Sequence, residues 1–290
     1  MTDNGDLVSR FAEREAAVLS YQKLWWAAQD EPQRSFLQTR PALRRGLLLN
    51  VAAGANFVAT ADVYRDEDGW AGEREKLHEE LLLRLTDSTG VPSTASSAVY
   101  ITMGLPGSGK TSGLRPLVLA HAEVTMPAAV SDADEVRTSF PEYASGLGSG
   151  VLQEETQVLT YGGFGYPVGG GLQERVEAIG GIVVVDVVGS PSHLPEVVNR
   201  LASTGRDVFI LMSECPVEIC VSRAMDRAVK PGGRYVPLSV IRSKVGVPRA
   251  ALVAALRTGS VAGWGVVDTS GATARLVEGD GTFDCLGVAA

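Results

Sequence analysis

One stretch of eight residues constrains this chain more than any other: Gly104-Leu105-Pro106-Gly107-Ser108-Gly109-Lys110-Thr111, directly behind the apolar run Ala98-Val99-Tyr100-Ile101-Thr102-Met103. Its glycines, lysine and hydroxyl residue stand at the offsets of a phosphate-binding loop between a strand and a helix. The glycines let the backbone turn until N–H groups point inward at phosphate oxygens, and the positive end of the following helix, predicted over 110–121, adds to their field. In this reading Gly104, Pro106, Gly107, Ser108 and Gly109 shape the loop. Lys110 neutralises charge on the β- and γ-phosphates, Thr111 offers its hydroxyl to magnesium, and Ser112 adjoins them at the helix start. The expected ligand is ATP with Mg2+.

The rest of the chain repeats the same alternation. Short β-branched runs at 98–103, 128–132, 182–188 and 207–213, with a weaker one at 263–268, read as strands separated by helical stretches. Ile182-Val183-Val184-Val185 is apolar without alternation, as in strands buried on both faces. The fold class is therefore α/β: a P-loop kinase fold, with a mainly parallel sheet, helices on both faces and an N-terminal helical extension. Upstream, Phe11, Ala17, Val18, Tyr21, Leu24, Trp25 and Ala28 follow helical spacing over 8–28, with Trp25-Trp26 packing that helix down. A second helix is predicted from Glu73 to Leu85, with Leu77, Leu81, Leu82 and Leu85 on one side. Val91 to Ser97 has the composition of a linker. The division is 1–92 as a helical extension packed on the core and 93–290 as the kinase domain, with a lid at about 216–237. Two glycine-rich stretches, 146–150 and 161–171, read either as flexible connections or as glycine-built binding loops.

Bulk properties exclude several classes. The net charge of −8 and the pI of about 5.0 disfavour a broad basic face, and so long-DNA or membrane-surface binding. Cys215, Cys220 and Cys285 are too few and too irregularly spaced for a disulfide framework or a zinc site, which predicts reduced thiols in the cytoplasm. No apolar run approaches the roughly 20 residues of a membrane span, and the first residues lack a signal-peptide core.

Several charged residues are candidates for the chemistry. Asp132-Ala133-Asp134 follows a predicted strand, where open α/β sheets bind ligands. Either carboxylate could accept a proton from an attacking hydroxyl, or both could cap and solubilise a helix start; both readings stay open. Asp186 interrupts the apolar run Val183 to Val188, and a carboxylate there needs a partner or a role, such as a magnesium-bound water or substrate. Arg227 and Arg234 flank a Pro-Gly-Gly hinge and suit the charge of a transferred phosphoryl group, whereas Arg223 reads as a solvated surface residue. His78, His121 and His193 lack metal-site spacing and read as structural.

Taken together, these blocks resemble the zeta toxin family of P-loop kinases, which phosphorylate a hydroxyl of UDP-N-acetylglucosamine and are held inactive by a small helical antitoxin. Glu73-Arg74-Glu75-Lys76-Leu77-His78 resembles a block ahead of that family's phosphate loop, and Gly104 to Thr111 matches its Walker A. Asp132-Ala133-Asp134 with Phe140-Pro141-Glu142-Tyr143 is similar to its Asp-x-Asp and proline-aromatic turn. Pro216 with Arg227, then Arg234-Tyr235-Val236-Pro237, resembles the segment whose two arginines contact phosphates. The resemblance covers roughly residues 70 to 250. It implies that Asp134 is the general base and that Arg227 and Arg234 act on the phosphates with Lys110 of the Walker A; Asp132 and Asp186 remain the candidates for substrate contact read from their positions at strand ends. Two departures concern that substrate. Val188 stands where the family has a threonine near the sugar nucleotide. The helix that supplies a substrate-binding glutamate is partly replaced by Tyr161 to Gly171, leaving Glu174 as the nearest acidic candidate.

The function expected is transfer of the γ-phosphate of ATP to a hydroxyl of a small molecule, such as a UDP-sugar, with a helical antitoxin as a further partner. Two alternatives stand beside it. One is a kinase of a nucleotide or of a hydroxylated base in nucleic acid, using a short basic groove of Arg200, Arg206 and Arg242. The other is a nucleotide-binding switch in which Asp134 is dispensable.

Overall fold

Strand alternation sorts the apolar runs into a sheet with two buried faces. The computed structural model describes residues 60–66, 69–87, 97–127, 129–144, 152–162, 171–228, 236 and 238–284. The chain opens with α1 (Thr60–Tyr64), a short antiparallel pair β1 (Arg65–Asp66) and β2 (Gly69–Trp70), and α2 (Gly72–Asp87). Next come β3 (Ala98–Met103), a π-wound turn at Lys110–Leu114, α3 (Arg115–His121), β4 (Ala129–Asp132), α4 (Ala133–Thr138) and α5 (Pro141–Ala144). They are followed by α6 (Gln153–Tyr161), α7 (Leu172–Ala178), β5 (Val183–Val187), α8 (Leu194–Ser203) and β6 (Asp207–Glu214). The last elements are α9 (Val217–Ala228), α10 (Leu238–Ser243), α11 (Val247–Leu256), β7 (Gly263–Asp268) and β8 (Arg275–Gly279). The helix expected over 8–28, nearly all of the 91–97 linker, the 146–150 stretch, most of 161–171 and the lid's Arg234 lie outside the described residues.

The main sheet has the order β4-β5-β3-β6-β7-β8. All neighbours are parallel except β8, which runs antiparallel to β7. Every predicted strand is present, at 98–103, 129–132, 183–187, 207–214 and 263–268. The edge strand β8 is an addition to that expectation. Its residues are mostly exposed, so it carries no apolar run, and pairing with β7 places it.

β3 is buried along its whole length. It sends Val99, Ile101 and Met103 to one face and Ala98 and Tyr100 to the other, as a period of two requires. Val183, Val185, Val208, Ile210 and Met212 share the first face, covered by Leu81 and Leu82 of α2, Leu159 of α6, Val176 of α7, Leu201 of α8 and Leu252 of α11. Val184, Leu211 and Val267 share the second with Leu114, Val118 and Phe283. Helix α2 matches the predicted 73–85 helix. Glu73 and Glu75 sit in its first turn and Arg84 in its last, the order that suits its dipole.

Arg206 corrects one expectation. It is buried at the amino ends of the strands, donating from Nη1 to the carbonyls of Glu177 (2.6 Å) and Ile179 (3.1 Å), and from Nη2 to those of Gly181 (2.6 Å) and Ala98 (3.3 Å). Arg200 is paired with Glu177. A surface groove built on Arg200, Arg206 and Arg242 therefore does not form. Arg206 satisfies strand-end carbonyls instead, at the end of the sheet opposite the phosphate loop. Among the described residues no helix is long and apolar enough to cross a membrane.

Candidate active site

The phosphate loop leaves the carboxyl end of β3 with Gly104, Gly107 and Gly109 at φ of 154°, 81° and 87°. A Cβ on Gly104 would stand 2.0 Å from Ser213 Oγ, and one on Gly107 would stand 2.2 Å from the Cys220 carbonyl oxygen. Only glycine fits either position. The Ser108 N–H closes the turn on the Leu105 carbonyl at 3.0 Å. The Ser108 hydroxyl is buried 2.5 Å from Ser213 Oγ, and its carbonyl accepts from Thr269 Oγ1 at 2.5 Å. Ser108 thus binds the loop to β6 and to the segment after β7. Lys110 Nζ donates to the Gly104 carbonyl at 3.2 Å and stands 3.6 Å from Asp186 Oδ1. Thr111 and Ser112 are exposed toward the cleft at the start of the helix.

Strand register aligns the carboxylates. Asp186 is paired with Asp132 on β4 and with Thr102 on β3, so both acids stand at strand carboxyl ends beside the loop. Burial, opposed by Lys110 and reinforced by Asp132, pushes the Asp186 carboxyl up to about 6. Asp132 Oδ1 accepts the Asp134 N–H at 2.8 Å, the bond of a helix cap, which answers one of the two readings open for this residue. Asp134 is half-buried in the first turn of α4. Its Oδ1 accepts from Arg137 Nη1 at 3.0 Å and its Oδ2 lies 4.0 Å from Arg227 Nη1. Nε and Nη2 of Arg227 are buried with no hydrogen-bond partner among the described residues. Burial pulls that guanidinium below its ordinary value, against Tyr143 and Asp132, which raise it.

These groups surround one cleft of about 410 Å³. The loop forms one wall and α4 another, α6 contributes Gln153, Gln157 and Tyr161, and α9 contributes Arg223 and Arg227, with Val187 and Val188 at the end of β5. The structure therefore brings Lys110, Thr111, Ser112, Asp132, Asp134, Asp186 and Arg227 together. Glu174 is exposed on α7 and does not line the cleft, and Arg234 is outside the described residues. Arg223 is not a merely solvated residue: its Nη1 donates to the Thr269 carbonyl at 2.7 Å and its Nη2 to that of Ser270 at 3.1 Å. That clamp bridges α9 to the segment after β7, a pairing invisible to spacing along the chain.

Sequence reasoning also missed Arg137, Gln153, Gln157 and Tyr161. A faint signal existed in the Arg74 and His78 block, whose target is Glu155 on α6. Glu155 accepts from Arg74 Nε at 2.5 Å and Nη2 at 2.8 Å, and its Oε1 lies 2.6 Å from His78 Nε2, all three side chains being buried. Burial alone raises the Glu155 carboxyl, but hydrogen bonds from His78 and Arg74, the Arg74 charge and Thr60 outweigh it and hold the group at about 2. This cluster fixes the helix that presents Gln153, Gln157 and Tyr161.

A phosphate loop closing the central strand of a parallel sheet, carboxylates ending two neighbouring strands and arginines on the facing helix define a P-loop kinase fold. The chain belongs to the zeta toxin family, whose sequence profile, described as Zeta toxin, matches residues 83–251. Among solved structures it resembles the AvrRxo1-ORF1:-ORF2 complex with ATP, at a TM-score of 0.60 and 16% identity over 77% of each chain. It also resembles the same complex with sulphate ions, at 0.53 and 16% over 77% of each chain. These likenesses concern the fold. No curated protein sequence matches the chain.

Proposed function

We propose that this protein is a kinase that transfers the γ-phosphoryl group of ATP to a hydroxyl of a small molecule. The observation that carries the reading is that Lys110, Asp134 and Arg227 line one cleft with the loop, Arg227 Nη1 lying 4.0 Å from Asp134 Oδ2. Lys110 and the loop N–H groups would hold the phosphates, and the unpartnered nitrogens of Arg227 suit the equatorial oxygens of the group in transfer. The oxygen donors of Thr111 and Asp186 fit a hard cation such as Mg2+, which usually binds through one or two carboxylates plus phosphate oxygens. Mg2+, when bound, would lower the repulsion between those phosphates and the incoming hydroxyl. Asp134 would take the hydroxyl proton as the acceptor oxygen bonds to the γ-phosphorus and the bond to the β–γ bridging oxygen breaks, releasing ADP.

Family membership and the ATP-bound AvrRxo1-ORF1:-ORF2 structure support ATP as the donor. A UDP-sugar such as UDP-N-acetylglucosamine is the acceptor implied by the family. Val188, apolar where the family has a threonine, lines this cleft beside the carboxamides of Gln153 and Gln157, so a nucleotide belongs in the same test. A small protein partner of the antitoxin kind is proposed on the same family ground, since AvrRxo1-ORF1 is solved with AvrRxo1-ORF2. The test is incubation with γ-labelled ATP, Mg2+ and a panel of sugar nucleotides, nucleosides, dinucleotides and DNA. We expect label on one small-molecule class, and a loss of roughly 10²–10⁴ in that transfer for Asp134→Asn with nucleotide affinity retained. Label on DNA alone, or full transfer by Asp134→Asn, would contradict the reading.

A further inference from the structure

Arg137 is the largest fully buried side chain of the described residues, 1% exposed, yet it belongs to a six-residue helix beside the cleft. A guanidinium in such a place is costly, and an apolar side chain of similar volume would usually serve stability as well or better. Two contacts that lead in different directions offset part of that cost, while Nε is buried with no hydrogen-bond partner among the described residues. Nη1 donates to Asp134 Oδ1 at 3.0 Å, and Nη2 donates to Gln153 Oε1 at 2.7 Å. Gln153 opens α6, the helix held from its other side by Arg74 and His78 through Glu155. The planar fork thus ties the carboxylate of α4 to a helix that is itself fixed to the core. With Oδ1 engaged, Oδ2 is the oxygen turned toward Arg227.

We propose that Arg137, anchored by Gln153, is the positioning residue for the acceptor base. It sets the rotamer of Asp134 so that Oδ2 meets the acceptor hydroxyl, and takes no part in holding the nucleotide. This inference rests on Asp134 being the base. The step it serves moves the hydroxyl proton to Asp134 Oδ2 while the acceptor oxygen bonds to the γ-phosphorus and the β–γ bridging oxygen leaves with ADP. A lysine would keep the charge but could not bridge both partners, because its ammonium is a point charge and not a fork.

The test uses the full chain, with water as the acceptor, measuring hydrolysis of γ-labelled ATP–Mg and binding of a non-hydrolysable ATP analogue. Arg137→Gln should lower turnover by roughly 10–10²-fold, the scale of a misplaced catalytic group, with analogue affinity unchanged and Arg137→Lys recovering only part of the loss. In an Asp134→Asn background the same substitution should cost nothing further, since its effect passes through the carboxylate. Gln153→Leu changes an exposed side chain and should show a smaller loss with the same dependence on Asp134, which decides the matter if Arg137→Gln does not fold. Equal losses in both backgrounds, or analogue affinity falling with turnover, would overturn the positioning role. Wild-type hydrolysis by Asp134→Asn would instead remove the base assignment, and this inference with it.

Discussion

Lys110 shows how one residue can be costly to function and cheap to stability. Its ammonium sits between the Gly104 carbonyl and Asp186, at 3.2 and 3.6 Å. Removing it would strand a buried carboxylate, but burial already pushes the Asp186 carboxyl up to about 6, so this group takes a proton more readily than an ordinary carboxylate. Lys110→Ala should therefore stay folded while losing phosphoryl transfer by at least ~10²-fold, if charge compensation at the phosphates is, as proposed, its main work. Label transfer and a melting curve on one preparation check both halves. A folded variant with wild-type turnover would rule out this lysine as part of the site.

Between elements, the decisive contact is that of α2 with α6 through Arg74, His78 and Glu155. The Glu155 carboxyl is held at about 2, below its ordinary 4.5, so the folded state binds fewer protons than the unfolded chain between those values. Its contribution is complete above about pH 4.5 and is lost as pH falls toward 2. Glu155→Gln keeps the size but removes the carboxylate that Arg74 and His78 share, at a cost of about 3 kcal/mol near neutrality. Urea midpoints measured from pH 7 down to pH 2.5 should show the wild type falling toward the variant. Parallel curves across that range would mean that the cluster is not ionised as described.

On the scale of the molecule, Leu81 and Leu82 of α2 lie in the same buried cluster as Val99 and Ile101 of the central strand. We propose on this ground that residues 1–92 form a layer sharing the kinase core and not a domain with a core of its own. A 1–92 fragment expressed alone should give no cooperative transition by calorimetry, because its apolar stripe would have nothing to cover it. A sharp two-state melt of the fragment would contradict the proposal.

The phosphate loop was legible because its requirements are local: φ values open to glycine, a lysine and a hydroxyl at fixed offsets, between a buried strand and a helix. The parallel strands were legible for a related reason, since burial on both faces leaves an apolar run such as Val183 to Val185. Asp132 and Asp186 stood out as acids ending such runs, but their alignment in one row came from strand register. The edge strand β8 left no comparable mark because it is largely exposed. Arg137, Gln153, Glu155 and Arg223 acquire their roles only when helices distant along the chain meet. The bond from Arg74 to Glu155 spans 81 residues, and that from Arg223 to Thr269 spans 46. The sequence by itself determined the five parallel strands, the loop and the P-loop kinase fold class, because each rests on neighbouring residues and periodicity. Which side chains contact Asp134 and line the rest of the cleft was decided only in the tertiary structure, where crossovers between parallel strands bring α4, α6 and α9 around one cleft.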